Sequence, residues 1–153
     1  MDLWAKQHNK NIHDQGRIVL GAPGIGKTTF ASGNSDWVDA DEIFKDLGVH
    51  TEEWHNVRHN LQEKKNHYTQ CDELLNSMRN AGLWVIGSLF WEIRADAIVL
   101  INEDIHRTYV DKRDDLKWDQ VQKVVRELIS LANKHNIPTY STIEQATGTH
   151  LRW

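Results

Sequence analysis

The segment Gly21-Ala22-Pro23-Gly24-Ile25-Gly26-Lys27-Thr28 fills every position of the G-x-x-x-x-G-K-[ST] pattern, with Thr29 next in line. Glycines let a backbone curl so that successive amides converge on an anion, and the positive end of a following helix points at the same place. Lys27 adds a point charge within reach of β and γ phosphates, and the Thr28 hydroxyl suits Mg²⁺, a hard cation that prefers oxygen ligands. The chemistry these residue types permit is binding of a nucleoside triphosphate such as ATP with its Mg²⁺. A glycine-rich turn that merely joins strand to helix does not account for every position being filled.

Eleven residues after Thr28 the sequence reads Asp39-Ala40-Asp41. Two carboxylates spaced i and i+2 at the end of a strand both face a site if the chain turns at Ala40. Either one is suited to orienting and deprotonating an attacking hydroxyl, or to holding the metal through water. The plainer role of a helix N-cap at Asp39 or Asp41 is compatible with that chemistry.

Five short apolar runs position these groups: Arg17 to Leu20, Trp37 to Asp39, Leu83 to Gly87, Ala97 to Ile101, and a weaker one at Ile137 to Tyr140. Each reads as a buried strand. Between them lie stretches of helical periodicity. From Thr51 the stripe Trp54, Val57, Leu61, Tyr68, Cys71, Leu75, Met78 predicts one long helix or two stacked ones ending at Gly82. Leu116 to His135 predicts another, stopping ahead of Pro138. Ser141-Thr-Ile-Glu144 predicts a capping box that opens a last short helix. Alternation of strand and helix predicts an α/β three-layer sandwich, a five-stranded, mostly parallel sheet with helices on both faces, whose ligands bind at the carboxyl ends of the strands.

The loop, the D-x-D pair after the second run, the stretch Val85-Ile-Gly-Ser88, the strand Ala97 to Ile101 and the basic segment Arg107 to Arg113 together resemble the small P-loop kinases over about residues 17 to 147. That group includes gluconate and shikimate kinases, nucleoside monophosphate kinases, polynucleotide 5′-hydroxyl kinases, and phage kinases that phosphorylate hydroxymethylated bases in DNA. The resemblance implies strand order 2-3-1-4-5, ATP as donor and Mg²⁺ held by Thr28 and, through water, by Asp39 or Asp41. It also implies a lid within His106 to Arg113 that supplies a cation to the transferring phosphoryl group, with Arg113 favoured and Arg107 and Lys112 nearby. A solvated helix face paired with Asp111, Asp114 and Asp115 is the alternative for that segment. Ser88 ends the third strand where motor and switch ATPases usually carry an acid. Glu92, four residues on, keeps a switch in view.

On the acceptor side, Ser88 and Trp91 join Arg107 and Lys112 as expected substrate contacts. The seven tryptophans and the basic stretch from Arg107 to Lys123 favour a nucleotide or nucleic-acid hydroxyl, for example a DNA 5′-hydroxyl or a hydroxymethylated base, with a small polyol or sugar acid as alternative. His55 and His59 have the i, i+4 spacing of helical metal ligands but lack a third ligand nearby. Tyr140 to Gln145, near the last strand end, frames the nucleotide base by analogy with the family.

Composition sets the outer bounds. The chain has 153 residues, one cysteine, Cys71, and a net charge of −4, so nothing in its global charge draws it to a phosphate backbone. It reads as one domain, 1–153, with 1–15 expected as a flexible or accessory segment. No apolar run approaches the about 18 residues that span a bilayer, and a reducing cytoplasm, or host cytoplasm if the source is viral, is expected.

Overall fold

The computed structural model describes residues 1–149. Its strands are β1 (Arg17–Gly21), β2 (Trp37–Asp39), β3 (Trp84–Gly87), β4 (Ala97–Val99) and β5 (Thr139–Tyr140). Every pairing is parallel and the order is β2-β3-β1-β4-β5, as expected from the sequence.

The helices are α1 (Asp2–Gln7), α2 (Lys27–Ser32), α3 (Ala40–Asp46), α4 (Glu52–Asn56), α5 (Leu61–Asn80), α6 (Glu103–Asp111), α7 (Trp118–His135) and α8 (Ile143–Thr147). Alternation along β1 divides them between two faces. Ile18 and Leu20 enter a core shared with α1, α3, α5, α6 and α7, through Ala5, Phe44, Cys71, Val110 and Leu128 among others. Val19 points the other way, into a smaller core with Ile25, Ala31 and Trp37 on the α2 side and Ile143 and Ala146 of α8. Strands β1 to β4, covered on both faces, read as continuous apolar runs, which is why they were legible, whereas β5, expected to be buried, has both its residues exposed at the sheet edge.

Three local expectations change. The stripe from Thr51 divides: α4 ends at Val57, which is extended, and α5 restarts with a full capping box between Asn60 and Glu63. Val57 and Leu61 are consequently exposed at 58% and 76%, while Trp54 is half-buried and packs on histidines. The last helix is capped by Thr142, whose hydroxyl accepts from the Gln145 amide, and Ser141 instead donates to the Gln145 side chain. The first fifteen residues form α1 and an ordered strap: Ala5 is fully buried, Trp4 Nε1 donates to Asp46, and the Trp84 indole donates to the Gln15 carbonyl. Among the described residues no helix is long and apolar enough to cross a membrane.

Candidate active site

The carboxyl ends of β1, β2 and β3 open on a cleft of about 1900 Å³. The phosphate loop follows β1 and turns through positive φ at Gly24 (82°) and Gly26 (94°). Those turns let α2 begin at Lys27. A Cβ on Gly24 would come within 2.9 Å of Val110 Cγ2 and 3.2 Å of Leu116 Cδ1. The loop is therefore seated directly under α6 and the segment after it. Gly24→Ala is expected to cost about 1–3 kcal/mol through the forced left-handed backbone alone, and to weaken nucleotide binding. Thermal melting and titration with a fluorescent ATP analogue check both.

α6 is tied to the loop a second time. Its N-cap is Asn102, whose side-chain oxygen accepts from the amides of Asp104 and Ile105, and one turn on His106 Nε2 makes a hydrogen bond with the Pro23 carbonyl at 2.8 Å. The carbonyl only accepts, so Nε2 is the donor. Burial lowers the His106 pKa, chiefly by desolvation, and edge contact with Trp118 fixes the ring.

Lys27 is 6% exposed, and its ammonium donates to the Ala22 carbonyl at 2.7 Å, folded back into the loop it belongs to. Desolvation lowers its pKa to about 8 against the attraction of Asp41 and Asp39, with Arg113 adding a small repulsion. Thr28 donates its hydroxyl proton to Asp39 Oδ2 at 2.9 Å, while Asp39 Oδ1 accepts the Asp41 amide at 3.0 Å and so caps α3. Asp39 thus caps α3, the plainer of the roles the sequence left open, and also accepts the Thr28 hydroxyl. Asp41 faces the cleft beyond it. Crowding by protein removes water from this carboxylate even though part of it reaches solvent. That desolvation, with the Asp39 charge beside it, raises its pKa to about 6 against the pull of Lys27. The two aspartates therefore differ: one holds the Thr28 hydroxyl, the other meets whatever enters the cleft.

Ser88 is buried at the end of β3 and lines the cleft, as does Arg113. Arg113 stands just past the end of α6, paired with Asp115 through Nε at 3.0 Å and Nη2 at 2.6 Å. Trp91, Arg107 and Lys112 line none of the cleft. Trp91 gives its backbone amide to Asp72, Arg107 lies over the Trp118 ring, and Lys112 closes α6. Glu92 pairs with Lys134 at 2.6 Å and is absent from the cleft wall. Of the Tyr140 to Gln145 stretch expected to frame the nucleotide base, Ser141 to Glu144 line the cleft, while Leu100, Thr139, Tyr140, Ser141 and Gln145 border a shallower hollow beside it at the end of β4 and β5.

The wall facing the loop comes from Lys45, His50, Thr51, Glu52, Glu53 and His55, of which the sequence pointed only to His55, and to that as a metal ligand. Behind it, His50 Nδ1 and His67 Nε2 are 2.7 Å apart, and the Trp54 ring lies between His59 and His67 with centroids 3.4 and 3.9 Å away. Burial, then the neighbouring His55 and His67, push His50 down to about 4, so its imidazole is neutral at pH 7. His55 and His59 are not joint ligands, because α4 ends between them; among the described residues no cluster of three His, Cys, Asp or Glu side chains is arranged to hold a metal. A divalent ion beside Thr28 would draw its remaining ligands from phosphate and water.

Parallel strands in the order β2-β3-β1-β4-β5, with the glycine-rich loop after β1, define a P-loop α/β three-layer sandwich. Among solved structures the chain is similar to shikimate kinase from Acinetobacter baumannii in complex with shikimate, at a TM-score of 0.51 and 19% identity over 95% of this chain and 94% of that one. APE1195, at a TM-score of 0.35 and 17% identity over 86% of this chain and 61% of its own, is too distant to bear on the fold. No protein-family model and no curated protein matches the chain. At such identity the likeness to shikimate kinase establishes the fold, and the side chains of the cleft carry any statement about chemistry.

Proposed function

We propose that this protein is a P-loop kinase that transfers the γ-phosphoryl group of ATP to a hydroxyl of a small metabolite, a polyol or sugar acid being the acceptor class. The observation that supports it most is the convergence of the buried Lys27 ammonium, the Thr28–Asp39 pair and the cleft-facing Asp41 carboxylate. Lys27 and the loop amides bind the triphosphate. Asp41 orients the acceptor and takes its proton as the acceptor oxygen bonds to the γ phosphorus, while the bond from that phosphorus to the β-bridging oxygen breaks and ADP leaves with the electron pair. Mg²⁺, when bound, offsets charge on the phosphates; the Thr28 hydroxyl, and Asp39 through water, are the all-oxygen set that suits it. Arg113, once released from Asp115, is the side chain available to steady the transferred group.

A small acceptor is favoured over a nucleic acid by the cleft wall. Trp91, Arg107 and Lys112, on which a base and backbone phosphates would rest, do not line it, whereas His50 offers a neutral imidazole suited to hydroxyls. The switch reading loses support because Glu92 is committed to Lys134. A screen with γ-labelled ATP against sugar acids, polyols, nucleosides and hydroxyl-ended or base-modified DNA and RNA tests the proposal. Label in a polyol or sugar acid is expected. Label in nucleic acid alone would overturn the acceptor class, and ATP hydrolysis with no labelled acceptor would overturn the kinase.

A further inference from the structure

The strap that precedes β1 carries an ammonium unrelated to the phosphates. Lys10 Nζ donates to the carbonyls of Ala31 at 2.7 Å, Asn34 at 2.9 Å and Trp37 at 2.8 Å. An ammonium has three N–H donors and all three are used. The acceptors come from the last turn of α2, the connection after it and the first residue of β2. Lys10 therefore gathers the end of one element and the start of the next around a single charge. Asn11 extends the contact, its amide donating to the Ser35 carbonyl at 2.9 Å and its side chain to Asp36 at 3.0 Å. The strap is fastened on either side, by buried Ala5 before it and by the His13 amide donating to the Gly82 carbonyl after it.

The two elements joined in this way carry the metal-side pair. Thr28 lies three residues before Ala31 on α2, and Asp39 two residues after Trp37 on β2. Their hydrogen bond at 2.9 Å needs α2 and β2 held in one relative position. The helix is only six residues long, and at its last turn the Ala31 carbonyl takes the Lys10 ammonium beside the Asn34 amide. We propose that Lys10 is a positioning residue for the divalent-metal edge of the site: it clamps the α2–β2 connection and so sets the spacing of the Thr28 hydroxyl and the Asp39 carboxylate. The role rests on the phosphate-loop reading, and it makes the N-terminal strap part of the working site.

The test is titration of a fluorescent ATP analogue with and without Mg²⁺, on the full chain. Lys10→Met keeps the stem and removes the charge. It is expected to raise the Mg²⁺ concentration for half-maximal tightening by about tenfold, the scale seen when the partner of a metal ligand is lost, and to leave metal-free affinity unchanged. A general loosening of the fold would weaken both. Lys10→Ala leaves a channel shaped for the missing three carbons and ammonium, so n-propylammonium is expected to restore the Mg²⁺ response there and not in Lys10→Met. The proposal is overturned if Lys10→Met binds with wild-type Mg²⁺ dependence, if metal-free affinity falls in parallel, or if both variants unfold and propylammonium restores neither. Failure of the wild-type chain to bind the analogue at all would instead sink the phosphate-loop reading, and with it the clamp.

Discussion

Lys27→Met is expected to reduce phosphoryl transfer by about 10²–10³-fold, the range for removing one preorganised charge-stabilising donor, while the circular dichroism spectrum stays that of the folded protein. The ammonium is buried within the phosphate loop, on the Ala22 carbonyl. Methionine fills a similar volume without the charge. The same substitution should weaken binding of the ATP analogue, since among the described residues the other Lys and Arg of the cleft are Lys45, on the wall facing the loop, and Arg113, which is held by Asp115. Rates of ADP release with a labelled acceptor provide the check, and a variant that keeps wild-type affinity and rate would remove Lys27 from the site.

Asp41→Asn carries the second large effect. A displaced general base costs about 10²–10⁴-fold, and the pH profile shows whether Asp41 is that base. With Asp41 raised to about 6 and Lys27 lowered to about 8, kcat/KM of the wild type is expected to rise through pH 6 and fall above pH 8, because the active form has the first deprotonated and the second charged. Bound phosphates favour the Lys27 ammonium, so the alkaline limb of kcat moves upward. In Asp41→Asn the acid limb disappears. An acid limb that persists at the same pH in the variant would assign it elsewhere.

The same substitution has a stability signature of opposite sign. A carboxyl whose folded pKa lies above its unfolded value penalises the folded state, fully above pH 6 and not at all below the unfolded value of 3.8. Asp41→Asn is therefore expected to melt at a higher temperature than wild type at pH 7, with the difference closing as pH falls toward 4. Activity and stability part company at one carboxylate, as expected where a charge is kept for its chemistry.

What the sequence made legible follows from the kind of constraint each feature obeys. The loop could be found because its glycines, lysine and threonine are required at fixed offsets, and β1 to β4 because strands covered on both faces leave unbroken apolar runs, whereas the exposed β5 left only a weak one. The Asp39–Asp41 pair was visible for the same reason, as polar residues placed where such a run stops. The break between α4 and α5 was hidden by a stripe that continues at helical steps across Val57 and Leu61, and Asn60 with Glu63 was the cap that marked it. The histidine cluster escaped notice, although His55 was singled out for its spacing to His59, because His50, His55 and His67 come from separate segments and meet only through the fold. Lys10 was beyond reach for a similar reason: its partners are backbone carbonyls, which no residue type announces.

The seat of Gly24 under Val110 and Leu116 bears on which sequences can share this fold. Two penalties oppose any side chain at that position, one from neighbours and one from the backbone angle, and only the first can be negotiated by another residue. Val110→Ala should make room and recover the contact share of the loss in Gly24→Ala while leaving the strain, so the two substitutions will be non-additive, a signature of residues in direct contact. Variation at position 110 is thereby harnessed to a loop eighty-six residues earlier in the chain, and drift in one will be tolerated or purged according to the state of the other.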